Sequence, residues 1–137
     1  MNKKIGLFIV LGLLVCLLAG CSGGIDTEEA KIFINDFFYE IENGEFANAE
    51  GYLHPERPAD LAGFLEGIES EVGIDFQEGI EVVRYTNSSW SFYDTSVGGS
   101  TYRATMEAEI GNKKVSIEVE IVKNDMGYGI YNFEIDK

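Results

Sequence analysis

The sequence predicts an α+β domain in which three helices precede an antiparallel sheet. Its hydrophobic periodicity changes near Gly73 from spacings of three and four residues to strict alternation. Two of the alternating segments are joined by Gly111-Asn112, which is typical of a β-hairpin. A length of 137 residues fits one domain. We therefore expect residues 26–137 to form a single domain, with three helices packed on a mainly antiparallel sheet of four to five strands.

Three helices are predicted before the periodicity changes. The first begins at Asp26, a capping residue followed by acidic residues in the first turn, and ends at Gly44, which can adopt the left-handed conformation. The second spans residues 45–53. The third spans residues 58–73 and begins at a proline. Each helix has one apolar face, so all three require a sheet to pack against.

The clearest strands form a hairpin from Tyr102 to Ile121. A two-residue turn at Gly111-Asn112 fixes one register, which aligns the apolar side chains on one face and opposite charges on the other. This register pairs Ala108 with Val115, Met106 with Ile117, Ala104 with Val119, Tyr102 with Ile121, Glu109 with Lys114 and Arg103 with Glu120.

The remaining strands have weaker patterns. Residues 79–85 and 90–95 are predicted as two separate strands, and residues 128–135 as the last one. In the last strand Phe133 lies on one face and Ile130 on the other. Either both faces are covered or a bulge exchanges them.

The N-terminus has the pattern of a secretory signal. Lys3 and Lys4 precede an uncharged run of fourteen residues, 5–18, which is shorter than the ~20 residues of a membrane span. The run ends in Leu18-Ala19-Gly20-Cys21, and this resembles the lipobox of bacterial lipoproteins. The resemblance implies that residues 1–20 are removed and that Cys21 carries a lipid. Residues 22–25 would then be a short tether, and an uncleaved N-terminal anchor is the alternative.

Such a lipid would hold the domain on the extracytoplasmic side of the cell membrane, or in an outer membrane if the organism has one.

Residues 21–137 carry 24 acidic and 8 basic residues, a net charge of −16. This charge argues against nucleic acid as a partner. Most of the excess lies in residues 26–73, where we interpret it as a solvated face; a docking surface for a basic partner is the alternative.

Two further segments follow a family pattern. An aromatic helix leads into Asn43-Gly44-Glu45-Phe46 and Tyr52-Leu53-His54-Pro55, and residues 124–133 combine an acidic turn, glycines and an aromatic-rich strand. Together they resemble small bacterial lipoproteins of the nuclear-transport-factor-2-like superfamily. Tyr128 stands where that family usually has tryptophan, and a cystatin-like relative is the alternative. The resemblance implies a cone with a pocket at its open end.

A pocket of this kind would hold a small apolar ligand between aromatic side chains. The candidates to line it are Phe37, Tyr52, Phe64, Trp90 and Tyr102, for each of which core packing is the alternative.

Two residues are acid–base candidates. Asp94 follows Trp90 and Phe92 at strand spacing, with a solvated strand end as the alternative. His54 is the only histidine, and it would otherwise satisfy carbonyls at a helix end or be solvated. Because Cys16 would be removed and Cys21 lipidated, neither a metal site nor a cofactor is expected.

The sequence as a whole predicts a membrane-anchored lipoprotein without enzymatic activity. It would bind a small apolar ligand or a protein of the cell envelope. The alternatives are a pocket enzyme like the ketosteroid isomerases or polyketide cyclases, and a structural subunit of an envelope complex.

Overall fold

The computed structural model describes residues 24–137, so the signal segment and Cys21 lie outside the described residues. The class is α+β, as predicted, with helices followed by one four-stranded antiparallel sheet in the order β1-β2-β3-β4. Within the described part of the chain, no helix has the length and apolar character needed to cross a membrane. The elements are α1 (Thr27–Glu42), α2 (Phe46–Glu50), α3 (Leu61–Ile68), β1 (Ile80–Asp94), β2 (Gly99–Ile110), β3 (Lys113–Asn124) and β4 (Gly127–Asp136).

The first helix begins and ends as its sequence predicts. The Asp26 carboxylate accepts hydrogen bonds from the backbone N–H groups of Glu28 and Glu29, both at 3.0 Å. Gly44 follows the helix with a φ of +72°. The buried face of α1 consists of Ala30, Ile34, Phe37, Phe38 and Ile41.

The second helix is shorter than predicted because the chain leaves it to pair with β4. The His54 N–H donates to the Ile130 carbonyl, and the Ile130 N–H donates to the Tyr52 carbonyl, both at 2.8 Å. These bonds form a short parallel bridge between Leu53 and Ile130. Residues 52–54 therefore act as a strand fragment at the edge of the sheet.

The third helix also begins later than its proline indicates. Asp60 caps it by accepting a hydrogen bond from the Gly63 N–H at 3.1 Å. After α3 the chain makes one π-helical turn, Glu69–Gly73, and Gly73 ends it with a φ of +74°. The predicted stop is thus confirmed, whereas the predicted start at Pro58 is wrong because the capping carboxylate lies two residues further on.

The β2–β3 hairpin has the predicted register at all six pairs. Gly111 has a φ of +61°, and no non-glycine residue in the described range has a positive φ. Glycine at the first turn position is characteristic of a type II′ turn, which matches the twist of the two strands.

The prediction of two strands before the hairpin is wrong, because β1 is one strand of 15 residues. Its polar middle resembles a loop in sequence but pairs with β2, with register shifts between Val82 and Arg84 and between Tyr85 and Asn87. The apolar side chains of β4 change from one face of the sheet to the other at a β-bulge. Ile130 pairs with Ile121 and Asn132 with Glu120, which leaves Tyr131 as the extra residue.

Candidate functional site

An apolar groove runs along β4 at the edge of the sheet. One wall is β4 and the other is formed by α3 and the segment before it. The first part of the groove has a volume of about 260 Å³, and a second part of about 700 Å³ shares Phe64 and Phe133 with it. The first part is lined by Leu53, Arg57, Pro58, Ala59, Leu61, Phe64, Ile130, Tyr131, Asn132 and Phe133.

Aromatic rings connect this groove to the core. The Phe64 ring is 46% exposed, and its centroid lies 6.3 Å from that of Phe133. Phe133 in turn meets Phe37 edge to face at 5.6 Å, and Phe37 is completely buried. At the rim, the guanidinium of Arg57 lies 4.3 Å from the centre of the Tyr131 ring. The groove therefore combines an apolar interior with a cation at one end.

The outer backbone edge of β4 is mostly unpaired beside the groove. Its outer edge pairs with residues 52–54 at Ile130. Within residues 24–137, no other backbone hydrogen bond reaches that edge between Tyr131 and Asp136. An unpaired edge of this kind can accept an added strand.

His54, an acid–base candidate, is fully buried. Its Nε2 lies 3.0 Å from Oδ1 of Asn124 and 3.2 Å from the Gly127 carbonyl, while Nδ1 accepts the Glu56 N–H at 3.1 Å. These partners fit a neutral ring with its proton on Nε2. The side chain is thus neither a helix cap nor solvated, and every ring nitrogen is occupied by the protein itself.

Asp94, the other acid–base candidate, organises the turn between β1 and β2. Its carboxylate accepts hydrogen bonds from the Ser96 hydroxyl at 2.6 Å and the Ser96 N–H at 2.8 Å. These bonds hold the pKa of Asp94 below its usual range. A carboxylate stabilised in its charged form is poorly suited to take and return a proton near neutral pH.

The structure does not bring the five candidate aromatic residues together beneath the helices. Phe37 and Tyr102 are completely buried in the core, Tyr52 is half-buried, and Phe64 lies in the groove. Trp90 is 65% exposed. It pairs with Tyr102, but it lies on the edge strand β1.

A pair of buried tyrosine hydroxyls was missed by sequence reasoning. The hydroxyls of Tyr85 and Tyr102 are buried and make no hydrogen bond of normal geometry to any described residue. Desolvation raises the pKa of both, and each hydroxyl lies close enough to Glu28 for that carboxylate to raise it further. Lys31 lies 5.0 Å above the Tyr85 ring. The alternation of β1 and β2 was the available signal, and the break predicted after Tyr85 concealed it.

No cluster of three or more metal-ligand side chains occurs within residues 24–137. No family model matches the chain, and neither a curated protein nor a solved structure matches it.

Proposed function

We propose that this chain is a lipid-anchored, extracytoplasmic binding module that holds an apolar segment of another envelope protein in the groove beside β4. The anchor is the lipid on Cys21, within the sequence Leu18-Ala19-Gly20-Cys21. The observation that carries the binding role is the groove itself, with Phe64 exposed at its centre.

The shape of the groove favours a protein partner over a small ligand. Its two parts, of about 260 and 700 Å³, meet at Phe64 and Phe133 and follow β4 rather than forming one enclosed pocket. Because the groove continues along β4 beside an unpaired backbone edge, an extended segment can place successive side chains along its length.

The positions of the acid–base candidates support a role without catalysis. His54 is engaged by Asn124 and Gly127, and Asp94 by Ser96, so neither carries an unoccupied group into the groove. The buried hydroxyl of Tyr102 belongs to the core under α1. For the fold, we propose a cone of the nuclear-transport-factor-2-like type, supported by the order of helices and strands and by the three register shifts in β1.

Cross-linking in intact cells tests this function. The full chain is cross-linked, purified from membranes in mild detergent and compared with Phe64→Ser and with the control Ile32→Ser, an exposed apolar residue on α1. We expect a specific envelope protein to be lost from the Phe64 variant and retained by the Ile32 variant. Equal recovery with both variants contradicts binding in the groove. A wild-type chain whose intact mass shows no acyl groups and an uncleaved N-terminus contradicts the lipid anchor.

A further inference from the structure

Exposed apolar side chains cluster at one end of the sheet. Because the four strands form a meander, the β1–β2 and β3–β4 turns lie at the same end, and the Asn124 amide joins them by donating to the Val97 carbonyl at 2.9 Å. We call this region, with the strand ends that flank the two turns, the aromatic end. Its exposed apolar residues are Trp90, Phe92, Tyr93, Met126 and Tyr128.

The described chain also begins at the aromatic end. A Cβ on Gly24 would lie 3.9 Å from a ring carbon of Phe92. Gly24 also lines a concavity of about 370 Å³ with Tyr128 and Lys123. Only two residues separate Gly24 from Cys21, so that segment reaches about 10 Å when extended. Whatever holds the N-terminus in a membrane therefore holds these aromatic rings close to it.

We propose that the aromatic end contacts the interfacial layer of the lipid bilayer, with Trp90, Phe92 and Tyr93 at the level of the headgroups. This inference rests on the membrane attachment proposed above and adds an orientation to it. Tryptophan and tyrosine favour the interface, where an apolar ring and a polar group are both satisfied. A cluster of exposed large apolar side chains on a soluble surface also commonly marks an interaction site.

The charges at this end indicate how the contact is made. Asp26, Asp94 and Asp125 outnumber Lys123 around the two turns. Attraction to anionic lipid therefore contributes little, and insertion of apolar rings is the remaining source of binding. The short connection to the anchor keeps the local concentration of the rings at the membrane high, so a weak individual affinity suffices.

Trp90 reports on the contact directly because it is the only tryptophan of the chain. The full chain is reconstituted into phosphatidylcholine vesicles, with and without brominated acyl chains, and its fluorescence is recorded. We expect emission at shorter wavelength than in an exposed site and quenching by the brominated lipid of at least about twofold. Replacing part of the phosphatidylcholine by the anionic phosphatidylglycerol should not strengthen the quenching, because this end carries more acidic than basic residues.

The matched control moves the tryptophan along the same strand. In the double variant Trp90→Phe, Val83→Trp, the indole occupies an exposed position, displaced along β1 by about 23 Å. We expect this tryptophan to emit at the wavelength of a water-exposed indole and not to be quenched by brominated lipid.

Co-sedimentation with the vesicles separates the two proposals. The orientation is overturned, and the anchor left intact, if the wild-type chain sediments with vesicles while Trp90 emits at the wavelength of a water-exposed indole. Emission at shorter wavelength without quenching by brominated lipid also overturns it, because burial between two copies would then explain the shift. A chain that does not sediment overturns both proposals.

Discussion

The ring of His54 lies 3.0 Å from the side-chain oxygen of Asn124 and thereby ties the segment after α2 to the β3–β4 turn. Asn124 uses its amide nitrogen to reach Glu56 at 2.8 Å and Val97 at 2.9 Å. One asparagine therefore connects three loops, and the buried histidine fixes its orientation. This network positions the segment that forms one wall of the groove.

Replacing His54 by alanine should lower the free energy of unfolding by about 2–4 kcal/mol. The change leaves a cavity and deprives the Asn124 oxygen and the Glu56 N–H of buried partners. Urea unfolding of the full chain in mild detergent measures the effect, and a double-mutant cycle with Asn124→Ala isolates the coupling, expected above about 1 kcal/mol. A loss below about 0.5 kcal/mol would contradict a structural role for the ring.

Gly129→Ala should destabilise the domain by about 1–3 kcal/mol. A Cβ there would lie 2.6 Å from the His54 nitrogen and 2.7 Å from the Leu53 carbonyl carbon, so the bridge between residues 52–54 and β4 would have to open. Gly67→Ala in α3 is the control, because nothing lies within 4 Å of its Cβ position. The control should be neutral or stabilising by up to about 1 kcal/mol. If both variants changed the free energy of unfolding by the same amount in urea, the close approach of residues 53–54 to Gly129 would not restrict the side chain at that position.

Two arginine–glutamate pairs on neighbouring strands should differ in strength. Arg103 contacts Glu120, whose side chain is only 8% exposed, whereas Arg84 and Glu107 are both well exposed. Arg103→Ala should cost about 2 kcal/mol, since it leaves a buried carboxylate with one charged partner fewer. Arg84→Ala should cost clearly less, because water solvates both partners of that pair. Urea unfolding at low and high salt compares them, and a larger loss for Arg84 would contradict the burial argument.

The elements that the sequence predicted well are those determined by local chemistry. The Asp26 cap, the end of α1 and the register of the β2–β3 hairpin depend on neighbouring residues or on a two-residue turn, and all three were predicted correctly. The continuity of β1 depends instead on β2. Its polar residues stay in the sheet because β2 supplies backbone partners, a cause that is absent from the local pattern.

The groove could not be predicted because it depends on contacts between distant segments. Leu53 reaches β4 only through the bridge to Ile130, and that bridge requires a glycine at position 129. Phe64 was identified as a candidate, but its partner Phe133 lies 69 positions away and faces the groove only because of the bulge at Tyr131. Trp90 has an apolar character that favours the core, but on the edge strand β1 its side chain is 65% exposed.

The buried hydroxyl of Tyr102 should make the domain sensitive to alkali. Its pKa is raised by desolvation and by Glu28, and Lys31 and the Ser88 side chain offset this in part. Because the folded state holds the proton more tightly than the unfolded state, the stabilisation is complete below the ordinary tyrosine pKa of 10.0 and is lost as the pH rises through the higher folded value. Tyr102→Phe removes a hydroxyl without a partner of normal geometry, so at neutral pH it should be neutral or stabilising by up to about 1 kcal/mol. The alkaline unfolding midpoint, followed by far-UV circular dichroism, should move to higher pH in this variant. A loss of stability at neutral pH would show instead that the hydroxyl is satisfied, for example by an ordered water.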